Sequence, residues 1–262
     1  MKHLSKLLFA AGLTVLSQSS AQATSIGVNF TADRKVFDNG PNPLASADVA
    51  GLVAQSHWNN TSPSISGSTT GIAGPTAGVV VDSNGAATAA TVNWSGTGSV
   101  QEVTNSGLAT GNAKLYKDYL ETDYANGSTI TISMGNIGFA KYDVILYVGD
   151  FIGTKNLVSS ATINGNSAST VYYANALEAP FTGFVKASGT NIATANLADY
   201  VIFSGITGSS FNASVKKENG NRAAIAAFQV VDVSAVPEPG TIALLGLGLL
   251  GFAALRRKQS RH

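Results

Sequence analysis

Between Thr24 and Ala235 the chain runs largely in short alternations of apolar and polar residues. Thr129-Ile130-Thr131-Ile132-Ser133-Met134 puts every second side chain on one face, and Phe211-Asn212-Ala213-Ser214-Val215 does the same. Successive side chains of an extended strand point to opposite sides, so a period of two predicts strands with one buried face. Tyr142 to Val148 is almost continuously apolar and predicts a strand covered on both faces. Further strands are predicted over residues 26–30, 78–81, 89–94, 161–163, 200–203 and 223–233. Ser83-Asn84-Gly85, Asn126-Gly127, Asn164-Gly165-Asn166 and Glu218-Asn219-Gly220-Asn221 punctuate them, and Asn-Gly pairs are what tight hairpin turns accept. Only residues 113–121, with Leu115, Tyr116, Tyr119 and Leu120 on one side, read as a helix. Such a succession of short strands predicts an all-β, two-sheet β-sandwich of jelly-roll or immunoglobulin-like type. No motif recurs at a fixed period, which disfavours a propeller or solenoid.

The two ends follow different rules. Lys2 and Lys6 precede an apolar run from Leu7 to Leu16 and a polar stretch ending Ala21-Gln22-Ala23. That order predicts a secretory signal peptide over residues 1–23, cut by signal peptidase with Ala21 and Ala23 in its small pockets. The run has no polar face, so an amphipathic first helix of a cytosolic domain is disfavoured. At the other end, Pro237-Glu238-Pro239-Gly240 leads into Thr241 to Leu255, which carry no charge, and then into Arg256-Arg257-Lys258. A helix of that length reaches only about 22 Å, short of a hydrocarbon core about 30 Å thick. It predicts a marginal anchor, with Arg256, Arg257 and Lys258 as the cytoplasmic stop and the middle of the chain outside. Pro237 and Pro239 keep the approach to this segment extended, the conformation a protease cleft takes.

Pro237-Glu238-Pro239, the short Leu/Gly/Ala-rich span and the Arg-rich tail together resemble a PEP-CTERM sorting signal. The resemblance implies export, a transient stay in the inner membrane and cleavage near Pro237, Glu238 and Pro239 by exosortase, a membrane-embedded cysteine protease. It further implies delivery to the cell surface or an extracellular polysaccharide matrix. In the middle, Gln55 to Asn60, Val81 to Thr88, Tyr142 to Gly149 and Asn221 to Phe228 are similar to unassigned extracellular domains that precede such tails. Those domains have a galactose-binding-like strand pattern, which implies a sandwich and no particular chemistry. The predicted organisation is thus a signal peptide (1–23), an extracellular β-sandwich (24–235) and a sorting and anchor segment (236–262).

Composition narrows the chemistry. The chain has no Cys, and all 20 of its asparagines lie in the middle region. There, ten Lys or Arg stand against fourteen Asp or Glu, a net charge of −4 that disfavours nucleic acid as a partner. His57 is the only histidine between residues 24 and 235, so His-rich zinc sites and Cys nucleophiles are excluded there. A serine triad would have to use His57, and no serine sits in a nucleophile-elbow pattern. A glycan hydrolase would need two carboxylates, with Glu121, Asp123, Asp143 and Asp150 as candidates.

Sugar binding asks for an aromatic face beside amide or carboxylate partners. Trp58-Asn59-Asn60 supplies those types in sequence, and Tyr147, Asp150 and Arg222 are candidates to complete the site, with Trp94 as a further aromatic. Core packing of Trp94 and Tyr147 and a salt bridge from Arg222 to a turn carboxylate are the competing readings. Asp82-Ser83-Asn84-Gly85 resembles the start of a calcium loop, but Ala86 to Ser99 contains no carboxylate. A hairpin turn is the simpler reading; a structural calcium would need oxygens from another loop, and no other cofactor is indicated. The reading favoured by the sequence is therefore a non-catalytic exported protein that associates with exopolysaccharide. The alternatives are a secreted glycan hydrolase and a purely structural or adhesive matrix protein.

Overall fold

In the computed structural model the alternating stretches become strands whose register buries one side of each. The described residues are 23–32, 41–73, 77–102, 111–148, 158–164, 170–176, 181–220 and 222–234, within a compact unit spanning Ala23–Ala235. The signal segment before Ala23, with Ala21, and the tail carrying Pro237, Glu238, Pro239, Arg256, Arg257 and Lys258 lie outside the described residues. So does the helix expected over residues 241–255. Among the described residues no helix is long and apolar enough to cross a membrane.

Five strands form one sheet: β1 (Ser25–Asn29), β2 (Asn59–Asn60), β8 (Lys141–Tyr147), β12 (Tyr200–Thr207) and β15 (Ala227–Asp232), in the order β12-β8-β15-β1-β2. Seven form a second: β3 (Ser66–Ser68), β4 (Thr91–Ser95), β7 (Thr129–Gly135), β9 (Val158–Asn164), β10 (Thr170–Ala176), β11 (Asn196–Ala198) and β13 (Phe211–Lys217). Their order is β11-β10-β9-β13-β7-β4-β3. A small third sheet joins β5 (Val100–Glu102), β6 (Asp118–Glu121) and β14 (Ala224–Ile225).

The two large sheets face each other across one apolar core. Val28, Val144, Leu146, Phe228 and Val230 of the first meet Val92, Ile130, Ile132, Ala213 and Val215 of the second. Edge-on aromatic contacts cross between them, Phe211 to Phe228 at 6.2 Å and Phe30 to Trp94 at 6.1 Å. Burying residues of this size is worth about 1.5–3 kcal/mol each, which orders strands that have little intrinsic stability.

The five-stranded sheet is also covered on its outer side. Ile145, Tyr147, Ala227 and Val231 pack there against Leu44, Ala50, Trp58, Leu115 and Tyr116 in a second apolar cluster. That double coverage explains the near-continuous apolar run of β8. The edge strand β12, bridged at Tyr200 to Lys186, is interrupted by a bulge at Ser204-Gly205, where Asp143 accepts from the Gly205 amide (2.7 Å) and the Ser204 hydroxyl (3.2 Å). A bulged edge is a poor template for another strand.

Two expectations change. The helix expected over 113–121 is limited to α1 (Gly111–Lys114), and Asp118–Glu121 is β6, paired with β5 and β14. Leu115, Tyr116, Tyr119 and Leu120 are all buried, so the same apolar set serves a turn followed by a strand. Residues 78–81 form no strand; Val81 makes one isolated bridge to Ala87 around the Ser83-Asn84-Gly85 turn.

Candidate functional site

Trp58, Asn59 and Asn60 come together where the loop before β2 folds over the outer face of the five-stranded sheet. Ala50 and Gln55 exchange both backbone hydrogen bonds (3.0 and 2.9 Å), and the His57 amide donates to Ser46 O at 3.0 Å. His57 then takes φ 55°, a left-handed conformation uncommon for a residue with a β-carbon. This reversal turns Trp58 inward onto β1. Gly27 is what lets the indole lie there, since a β-carbon at that position would stand 2.6 Å from Trp58 Cε3.

The expected exposed face of Trp58 is therefore absent. The side chain is 1% exposed, donates from Nε1 to Gln55 O (3.2 Å) and packs edge-on against Tyr147 at 6.2 Å. Asn59 is equally enclosed: its Nδ2 donates to Gly27 O (2.9 Å) and Val81 O (2.8 Å), and its Oδ1 accepts from Val81 N (2.8 Å). Asn60 Nδ2 donates to Leu44 O, while its Oδ1 accepts from Leu44 N and from Asn29 Nδ2. Both amides are spent on holding neighbouring backbone, because a buried amide left unpaired costs about 1–3 kcal/mol.

Tyr147 is buried as well and joins a polar network under the loop. Its hydroxyl accepts from Leu52 N (2.8 Å) and donates to Gln229 Oε1 (2.9 Å). Gln229 Nε2 donates in turn to Val53 O (2.6 Å) and Gln55 Oε1 (2.7 Å). Burial pushes the ionisation of Tyr147 and of neighbouring Tyr116 upward, so both stay neutral phenols.

Arg222 stands elsewhere, paired with the buried carboxylate of Glu121 on β6 and stacked over Tyr124 with its guanidinium carbon 4.0 Å from the ring centre. Ser99 Oγ also donates to Glu121, at 2.6 Å. Asp150 lies outside the described residues. Of the other carboxylates weighed, Asp143 caps the β12 bulge and Asp123 accepts from Ser128 Oγ and the Ala125 amide, whose hydrogen bonds hold its carboxyl below the ordinary range. Asp82 Oδ1 accepts from the amides of Asn84 (2.8 Å) and Ala86 (2.9 Å), which makes it the cap of a tight turn. Trp94 fills the core. Among the described residues no three His, Asp or Glu side chains gather as a metal site.

What the loop leaves open is a cleft of 580 Å³ above Trp58. Pro43, Leu44 and Ala73 give it apolar walls, Asn60 and Trp58 contribute their edges, and His57 and Asn84 stand at its polar side. The His57 ring is fixed by Nδ1, 2.8 Å from Ser56 Oγ and 3.3 Å from Ser83 O. Gly85, at φ 79°, passes under the ring, and a β-carbon there would sit 3.0 Å from His57 Cδ2. Of the residues singled out in the sequence, Trp58, Asn60 and Asn84 thus meet in one cleft, and Tyr147 lies beneath it. His57, weighed in the sequence only as a catalytic base, lines it too, and Pro43, Leu44 and Ala73 do so without any pattern in the sequence to mark them.

An all-β sandwich with a cleft on the outer side of one sheet is the class of molecule these features define. Residues 235–258 match the PEP-CTERM protein-sorting motif, and the chain is therefore that of an exported surface protein bearing a substrate signal for exosortase. Among curated protein sequences, none matches the chain. Among solved structures, the chain is similar to the TmCBM61 carbohydrate-binding module in complex with β-1,4-galactotriose, with TM-score 0.33 and 11% identity over 53% of this chain and 86% of the module. It is similar to a family 35 carbohydrate-binding module from an environmental isolate, with TM-score 0.30 and 13% identity over 53% and 86% of the two chains. A third is the K2 cleaved adhesin domain of Lys-gingipain, with TM-score 0.25 and 14% identity over 53% and 82%.

Proposed function

We propose that the chain is a non-catalytic component of the cell surface or extracellular matrix that holds the end of a glycan in the cleft above Trp58. In this reading signal peptidase removes residues 1–23 and the tail rests transiently in the inner membrane. Exosortase then cuts near Pro237 to Pro239 and releases the sandwich toward the exopolysaccharide. The sorting motif carries the destination. The cleft supports the ligand class: apolar walls suit the C–H face of a sugar, and His57 and Asn84 offer donors and acceptors to its hydroxyls. A left-handed histidine held by two partners is backbone strain at the mouth of a cleft, where such strain concentrates in binding sites.

The non-catalytic part of the reading draws on the placement of the carboxylates. Glu121 and Asp143 are engaged in holding Arg222 and the β12 bulge, and no carboxylate stands among the described residues that line the cleft. Glycan-array binding by the exported chain, purified from the producing cells, tests the proposal. Binding that is lost in His57→Gly supports it; an array with no bound glycan favours a purely structural or adhesive role. Turnover of any bound glycan would overturn the non-catalytic reading. Trp58→Ala is unsuitable as a probe, since removing a buried indole destabilises the fold itself by about 3–5 kcal/mol.

A further inference from the structure

The seven-stranded sheet turns its second face to solvent, and its register orders the residues there. Strands β4, β7, β13 and β9 are neighbours, and pairing aligns Asn93 with Ser133, Ser133 with Asn212, and Asn212 with Asn164. Two residues further along each strand, a second row runs Ser95, Thr131, Ser214 and Thr162. All eight are solvent-facing or half-buried, while Val92, Trp94, Ile132, Ala213 and Ile163 between them are buried. Strand spacing of about 4.8 Å places the three carboxamides of the first row on a line about 14 Å long. A concavity of 280 Å³ lies over them, lined by the whole first row and by Ser95, Thr131 and Ser214.

Two properties distinguish this face from an ordinary wet surface. Neither row contains a charged side chain, whereas soluble surfaces intersperse both signs. Further along β13 on the same side, Lys216 is paired with Glu218 at 3.2 Å. In addition, the carboxamides of Asn93, Asn164 and Asn212 engage no protein group among the described residues, while those of Asn59 and Asn60 are held by backbone and by Asn29. Each unengaged amide presents two N–H donors and a carbonyl acceptor, the complement of a hydroxyl that both donates and accepts. Neither row offers a cation to the carboxylates of an anionic polymer.

We propose that this face binds an uncharged polysaccharide laid across β4, β7, β13 and β9, its hydroxyls hydrogen-bonded to Asn93, Ser133, Asn212 and Asn164. The site is separate from the His57 cleft and does not depend on it. The face offers no aromatic platform, and neutral hydrogen bonds contribute about 1 kcal/mol each. Affinity therefore grows with the number of sugar units that touch the row, and a monosaccharide does not compete.

The test is gel retardation of the exported chain in soluble neutral β-glucan, galactan and mannan, with alginate as the anionic comparison. The wild-type chain is expected to be retarded by at least one neutral polymer and not by alginate. The triple variant Asn93→Ala, Asn164→Ala, Asn212→Ala is expected to bind roughly tenfold or more weakly with an unchanged thermal midpoint, because all three residues are exposed. His57→Gly is expected to keep this retardation, which separates the face from the cleft. Retardation by no neutral polymer, retardation by alginate alone, or a triple variant that binds like wild type would each overturn the proposal.

Discussion

Asn60 and Leu44 exchange two hydrogen bonds of 2.9 Å, Leu44 N to Oδ1 and Nδ2 to Leu44 O, so one side chain plays the part of a neighbouring strand. The loop that roofs the Trp58 cleft is pinned to the sheet by this pair, with Asn29 Nδ2 adding a third contact at 3.0 Å. Replacing Asn60 by Ala leaves the Leu44 amide and carbonyl and the Asn29 amide without that partner. A loss of about 2–4 kcal/mol is expected by urea denaturation, and Asn60→Asp, which sets a buried carboxylate against the Leu44 carbonyl, should lose at least as much.

A buried ion pair fixes the small third sheet. Glu121 is 1% exposed, and Arg222 neutralises it from the turn after β13. Arg222→Ala strands a carboxylate in the interior, and a destabilisation of about 3 kcal/mol is expected. Arg222→Ala combined with Glu121→Gln should recover part of it, because the uncompensated charge is then gone. Thermal midpoints of the two variants give the comparison.

Asp199 makes stability depend on pH. It is buried, and its Oδ1 accepts from Val185 N at 2.8 Å. Burial raises its carboxyl to about 7 from an ordinary value of 3.8. The folded chain thus holds a proton that the unfolded chain releases. The stabilisation is complete below about pH 4 and is lost progressively as pH rises toward 7. Asp199→Asn keeps the acceptor for Val185 and removes the titration, so its urea midpoint should vary less between pH 4 and 8 and exceed that of wild type at pH 8.

How far these features were readable in the sequence depends on where their partners lie. Strands such as β7 and β13 were legible because alternation is local. The tail was legible because its order of proline neck, apolar span and cations is contiguous. By contrast, β6 has the sequence pattern of a helix, since Leu115, Tyr116, Tyr119 and Leu120 satisfy a helical spacing and only the distant partners β5 and β14 make Asp118–Glu121 a strand. Trp58 beside two asparagines looked like a sugar platform because sequence records residue types and not the side from which they are covered. Gly27, which receives the indole, is 31 positions away, the same reach as Asn29 to Asn60. The polar rows on the seven-stranded sheet depend on the register of four strands, which no local pattern encodes.

His57 separates binding from folding. Its left-handed backbone costs a side-chain-bearing residue about 1 kcal/mol, and its ring contacts return a similar amount. His57→Gly is therefore expected to change stability by no more than about 1 kcal/mol while reducing cleft binding at least tenfold. Parallel measurement of the thermal midpoint and glycan-array signal checks both halves.

The destination of the chain underlies every functional reading, and intact-mass measurement of the protein recovered from its own cells tests it most directly. The account predicts a surface or matrix fraction whose chain begins at Thr24 and ends near Pro237 to Pro239, without Arg256, Arg257 and Lys258. A full-length chain in the cytosol, with both ends retained, would contradict it.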